Sequence, residues 1–186
     1  MIDEPLFNST HAALTFAFTY AAQQSPKTPL TYMFQSNPGE DDIPRGIIQS
    51  KGLSGLDAAA QAGMILAEVC RLPDDQHNII VARYYRAQHE CRGCGQHAPR
   101  DEWRAAIDAL SHCVELEGVH RKVRLIMAEK AICGGKMDVE TLCRRYSMSK
   151  STTYRQLSEI KVKFRKMERI AMINLDNSFI DKLLVA

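Results

Sequence analysis

The sequence has no run approaching the roughly 18 consecutive apolar residues that a membrane-spanning helix needs. It also has no basic leader, since Met1-Ile2-Asp3-Glu4-Pro5 is acidic where a signal peptide is positively charged. The expected setting is the cytoplasm, with no membrane partner. Signatures of common catalytic sites are missing too. There is no G-x-x-x-x-G-K-[ST], no G-x-G-x-x-G after a strand, no H-E-x-x-H and no G-x-S-x-G. His89-Glu90 adjoins Cys91, whereas zinc deaminases keep their cysteine pair well downstream of the glutamate. An enzyme is not expected. No window alternates apolar and polar residues convincingly, so strands are not expected either.

What is present is an ordinary globular composition. The chain has 186 residues, 45% hydrophobic and 25% charged, enough for one domain or a core with a small added module. That mixture excludes a wholly disordered chain, a collagen-like fibre and a disulfide-dense miniprotein. Six cysteines in a chain without an export signal read as thiols or metal ligands rather than disulfides.

Helical signals recur along the chain. Ser9 caps a first helix over 10–23, with Leu14, Phe16, Phe18 and Tyr20 as its apolar surface. Prolines and glycines punctuate 24–51, which reads as a long loop or arm. Ser54-Gly55-Leu56-Asp57 has capping-box spacing and opens an alanine-rich helix to 71, with Met64, Leu66, Val69 and Cys70 as its apolar positions. Pro73-Asp74-Asp75 starts another, with Ile79, Ile80, Ala82 and Tyr84 as candidate core. Further helices are expected through Trp103, Ile107 and Leu110, then through Val123, Ile126 and Met127 up to Gly134-Gly135. Two more follow, over 138–146 and 149–171, and a short one over 177–184. Cys70, Cys133 and Cys143 read as small core residues. His77 and His120 read as helix-surface residues.

The net charge of +2 conceals a strong segregation. Residues 120–170 carry fourteen basic and five acidic side chains, net +9, while residues 1–44 carry one basic and five acidic, net −4. A basic block of this kind suggests a polyanionic partner, because neutralising phosphates releases counterions. The simpler reading is a solvated helical face.

The block contains a motif. Asp138 is a good N-cap, Leu142 is apolar, Cys143 is small where a second helix must cross closely, and Tyr146 closes the first helix. Ser147-Met148-Ser149 forms a short turn, and Ser149 caps a second helix displaying Lys150, Ser151, Thr152, Tyr154 and Arg155. Over about twenty residues this resembles the helix-turn-helix DNA-binding module, whose second helix reads base edges in the major groove. Ser147 stands where glycine is usual, and Thr153 where valine or isoleucine packs. The resemblance implies that Ser149, Lys150, Ser151, Thr152, Tyr154, Arg155 and Gln156 face the groove. Arg144, Arg145, Lys161 and Lys163 would hold phosphates, and Arg165, Lys166 and Arg169 extend the same basic helix. With the helix upstream, the layout is similar to region 4 of bacterial sigma factors.

His89-Glu90-Cys91-Arg92-Gly93-Cys94-Gly95-Gln96-His97 has the form of a zinc knuckle. Two thiolates at this spacing suit one tetrahedral metal. Cys91, Cys94 and His97 are the expected ligands, with His89 or Cys113 as the fourth. Free surface thiols or a redox pair are the alternatives.

An acidic or neutral helical front, a Cys-X-X-Cys loop and a C-terminal helix-turn-helix together resemble small prophage regulators. They are similar in particular to the late-gene antiterminators of lambdoid phages, the Q proteins. The run Gly55-Leu56-Asp57-Ala58-Ala59-Ala60-Gln61-Ala62-Gly63-Met64 is similar to an N-terminal helix of the lambda branch, which carries two Cys-X-X-Cys pairs where this chain has one. The resemblance implies double-stranded DNA as partner, RNA polymerase as a second partner, and zinc as bound metal. A second copy of the chain is a further candidate partner, since a single helix-turn-helix usually works as a pair.

The expected fold is thus all-α, a helical bundle with a C-terminal helix-turn-helix and a Cys-X-X-Cys loop between helices. The expected segments are 1–54 (helix and arm), 55–118 (helical body, Cys-rich loop at 87–100), 119–172 (helix-turn-helix region) and 173–186 (tail helix).

Overall fold

The structure is a computed structural model that describes residues 5–23, 55–85, 88–90, 97–114, 116, 119–134 and 137–185. Two compact units divide the chain. One comprises residues 1–71 with 174–186, the other residues 72–173. This grouping differs from the four consecutive segments expected, because helical periodicity shows that a face must be buried but not which partner buries it. The expected arm at 24–51 lies outside the described residues, as does Ser54.

In the first unit, α1 (Thr10–Gln23) packs against α2 (Gly55–Cys70). Ser9 caps α1 as expected, its Oγ accepting from Ala12 N at 3.2 Å. Leu14, Phe16 and Phe18 are buried. On α2 the buried face is Ala58, Ala62, Ile65 and Val69. Met64 and Cys70 are exposed and Leu66 is half-buried, so the expected apolar face is rotated. The small alanines lie inward, where a neighbouring helix comes close. The chain termini meet here too. Phe7 N donates to Leu184 O at 2.9 Å, in a parallel bridge between Phe7 and Val185.

Glu68 is a buried carboxylate in this unit. It accepts from Ser178 Oγ at 2.6 Å and pairs with Lys182 and Arg71. Its charge is therefore compensated, as burial requires.

In the second unit, α3 (Asp74–Tyr84) packs against α4 (Asp101–Cys113), and α4 against α5 (Arg121–Cys133). Ile79, Ile80, Val81 and Ala82 are buried on α3, and Trp103, Ala106, Ile107 and Leu110 on α4. The Trp103 indole donates to Ala82 O at 3.2 Å, so its one polar atom is satisfied inside the core. Between α3 and α4, β1 (Gln88–Glu90) pairs antiparallel with β2 (His97–Pro99). This ladder was not expected, since three residues are too few for a period-two pattern to register.

The unit continues through α6 (Val139–Tyr146) into α7 (Lys150–Asp181). The expected separate tail helix does not exist, because 172–176 contains neither glycine nor proline and α7 runs through it. One buried stripe follows α7, from Thr153 through Ile160, Phe164, Met167, Ala171 and Leu175 to Phe179. Steps of three, four and seven keep these on one face. Residues to Ile173 belong to the second unit, and those from Asn174 to the first.

Candidate nucleic-acid interface

The candidate interface is the hairpin of α6 and α7. Asp138 caps α6, its Oδ1 accepting from Thr141 N at 3.0 Å. That bond holds the exposed carboxyl below its ordinary range. Upstream, His120 caps α5 through its Nδ1, which accepts from Lys122 N at 3.1 Å, rather than merely decorating a surface. Its ring lies 5.4 Å from that of Tyr146 at the end of α6. At the other end of α5, Gly134 takes φ 72, which glycine adopts without steric cost.

The turn resolves the question posed by Ser147. The residue is left-handed, with φ 54 and ψ 38. Its N–H and that of Met148 both donate to Cys143 O, the latter at 3.1 Å. This six-to-one closure satisfies an orphan carbonyl and turns the chain sharply. Ser149 then caps α7, its Oγ accepting from Thr152 N at 3.0 Å.

Thr153 is fully buried where a valine or isoleucine would suit. Its hydroxyl donates to Ser149 O at 3.0 Å and lies 3.4 Å from the Cys143 sulfur. The small cysteine and the satisfied threonine thus meet where the two helices cross.

The side chains expected to meet DNA divide into three groups. Ser149, Ser151, Tyr154, Arg155, Arg144 and Arg145 are exposed, with Tyr154 at 59%. Arg155 makes only a loose pair with Glu159, at 3.9 Å. Arg145 lies over the Tyr146 ring at 6.0 Å. A second group is committed within the protein. Lys150 pairs with Glu140 at 2.5 Å, which raises its ammonium above the ordinary lysine value. Lys163 donates to Cys113 O. The third group is half-buried, namely Thr152, Gln156 and Lys161. Gln156 turns its amide oxygen inward, without a hydrogen-bond partner among the described residues, so a bidentate contact to adenine needs another rotamer.

Arg83 on α3 was not singled out in the sequence. Its Nε donates to Glu168 Oε2 at 3.1 Å and its Nη1 to Ile132 O at 2.7 Å. It thereby ties α3 to the end of α5 and to α7. Nothing local marks it, since its partners lie far away in the chain.

The expected zinc ligands fall largely outside what the structure describes. Cys91 and Cys94 are not among the described residues, and His89 and His97 are described as backbone only. The ladder sets Glu90 opposite His97 and His89 opposite Ala98, and both cysteines belong to the six residues joining the strands. Cys113 is half-buried on α4. Cys143 is half-buried, whereas Cys70 and Cys133 are exposed and not core residues. Among the described residues, no three metal-binding side chains gather together, and no helix is long and apolar enough to cross a membrane.

Compared with models of known protein families the chain matches none, and a search of curated proteins finds no significant relative.

Proposed function

We propose that the chain is a sequence-specific DNA-binding transcription regulator of phage type. The observation that carries this reading is the α6–turn–α7 hairpin. Left-handed Ser147 closes its turn and buried Thr153 packs its crossing, while Ser151, Tyr154 and Arg155 stand exposed at the start of α7. Polar and aromatic side chains at that position suit contacts with base edges, and exposed Arg144 and Arg145 suit contacts with phosphates. Late-gene antitermination, with RNA polymerase as second partner, is the narrower form of the proposal and rests on the resemblance. Zinc held by Cys91, Cys94 and His97, with His89 or Cys113 as the fourth ligand, belongs to the same proposal. The two strands are paired on either side of the cysteine pair, which suits a metal clip.

The test is selection of binding sites from a random duplex pool, with and without RNA polymerase holoenzyme. A sharp motif bound by the protein alone supports the regulator. Enrichment only with polymerase supports antitermination. No enrichment in either arm rejects both. Arg155→Ala should cost about 1–3 kcal/mol on the selected site and relax preference at one base. An equal loss on all sequences would remove Arg155 from base reading.

A second reading, docking of the basic helix on an acidic protein surface, is favoured by one feature. Val162, Ile170 and Ile173 are exposed on α7, and aliphatic side chains contribute nothing against phosphates.

A further inference from the structure

We propose that a cleft in the second unit, lined by Arg83, the end of α5, Lys161 and Arg165, is a phosphoryl-binding site. Ala131, Ile132, Cys133 and Gly134 form its α5 wall. Its volume is about 250 Å³. That is less than the roughly 300–1,000 Å³ of pockets enclosing drug-sized ligands. The occupant is therefore a small anion, or one group of a larger one.

The charge arithmetic selects the sign. Three cations line the cleft, and Glu168 compensates only one of them, Arg83. Lys161 and Arg165 have no ion-pair partner among the described residues. The carbonyls at the end of a helix ordinarily repel an anion. Here Arg83 Nη1 already donates to Ile132 O, which offsets part of that field. Fixed through Nε and Nη1, the Arg83 guanidinium keeps Nη2 available as a donor. Arg165 adds a second planar fork and Lys161 a point charge. Forks plus an ammonium match the several oxygens of a phosphoryl group. One turn separates Lys161 from Arg165, so both lie on the same side of α7.

A phosphoryl group can come from a free phosphorylated small molecule or from a nucleic-acid backbone. The second source would deepen the DNA-binding proposal and rest on it; the first would not. Cys133, exposed on the cleft wall, supplies a local reporter. Its thiol is pushed up by partial desolvation and then by the charge of Glu129, so little of it is thiolate and its alkylation is slow enough to follow.

The experiment measures alkylation of Cys133 by N-ethylmaleimide in the full chain, followed by peptide mapping at fixed, mildly alkaline pH. The probes are pyrophosphate and a random-sequence duplex, against chloride at equal ionic strength. Exposed Cys70, in the other unit, is the internal control. At ten times its dissociation constant, pyrophosphate should slow Cys133 about tenfold while leaving Cys70 unchanged. The doubly substituted Lys161→Ala/Arg165→Ala protein should lose that protection. Protection by pyrophosphate alone assigns a small molecule. Protection by duplex that is also lost in the double variant, with the log–log salt slope reduced by about 2, assigns the nucleic-acid backbone. If neither probe protects Cys133, or protection survives in the double variant, the site does not exist. Failure of DNA binding alone leaves the pyrophosphate result standing, so the two proposals fail separately.

Discussion

Ser147 and Leu183 are the non-glycine residues with positive φ among those described, at 54° and 56°. Each ends a helix. Leu183 N donates to Ile180 O and Leu184 N to Phe179 O, a complete paired closure with Leu184 and Phe179 both buried. The Leu183 side chain is itself 62% exposed, so it contributes little burial in return. A left-handed L-residue costs roughly 1–2 kcal/mol that glycine avoids, and glycine's greater unfolded freedom takes some of this back. Leu183→Gly and Ser147→Gly should therefore each stabilise by about 1 kcal/mol. Chemical denaturation should show a higher midpoint at unchanged m-value. Ser147→Val should move the midpoint the other way. A Ser147→Gly protein that is less stable than the parent would mean that the serine makes a contact worth more than its strain.

At the scale of elements, two buried polar side chains decide how helices meet. Thr153 supports the crossing of α6 and α7. Ser149 O keeps its bond from Thr153 N at 3.0 Å even without the hydroxyl. Thr153→Val should thus change stability by no more than about 1 kcal/mol and preserve DNA binding. A loss well beyond that would make the hydroxyl, rather than the packing, the essential feature. Glu68 does the corresponding work between α2 and the C-terminal turns of α7. Hydrogen bonds from Lys182 and then Ser178 hold its carboxyl below the ordinary 4.5, outweighing desolvation. A depressed folded-state value means stability that is fully present above the ordinary value and lost as pH falls through the lowered one. Measured against pH, the advantage of the parent over Glu68→Gln should be flat near neutrality and shrink in acid. An advantage that instead grew as pH fell would contradict the assignment. Element boundaries were largely legible in advance. Ser9, Asp138 and Ser149 cap as their types suggest, because capping is settled within three or four residues.

At the scale of the molecule, charge follows the division into units. Residues 1–71 and 174–186 carry five basic and nine acidic side chains, net −4. Residues 72–173 carry nineteen and thirteen, net +6. Binding to a duplex should therefore weaken steeply with salt, and Arg144→Ala should lower the log–log slope by about 1. An unchanged slope would take Arg144 out of the phosphate set. Metal content belongs to this scale too, because the proposed clip at 91–97 would order a stretch with little apolar material of its own. Purified protein should contain about one zinc per chain. The Cys91→Ser and Cys94→Ser variants should each lose it. Zinc retained in both would place the metal elsewhere.

The sequence by itself determined that Ser9, Asp138 and Ser149 open helices, that a turn falls at 147–149, and that positive charge concentrates in 120–170. Those features depend on caps, local sterics and counting, which need only near neighbours in the chain. The tertiary structure alone decided that α2 joins α1 and the C-terminus, and that Glu140 and Cys113 O occupy Lys150 and Lys163. It also set Arg83 in one cleft with Lys161 and Arg165. Those partners lie from 10 to 114 residues apart in the chain. Packing free energy selects them, and packing depends on which faces meet rather than on the period with which either face repeats.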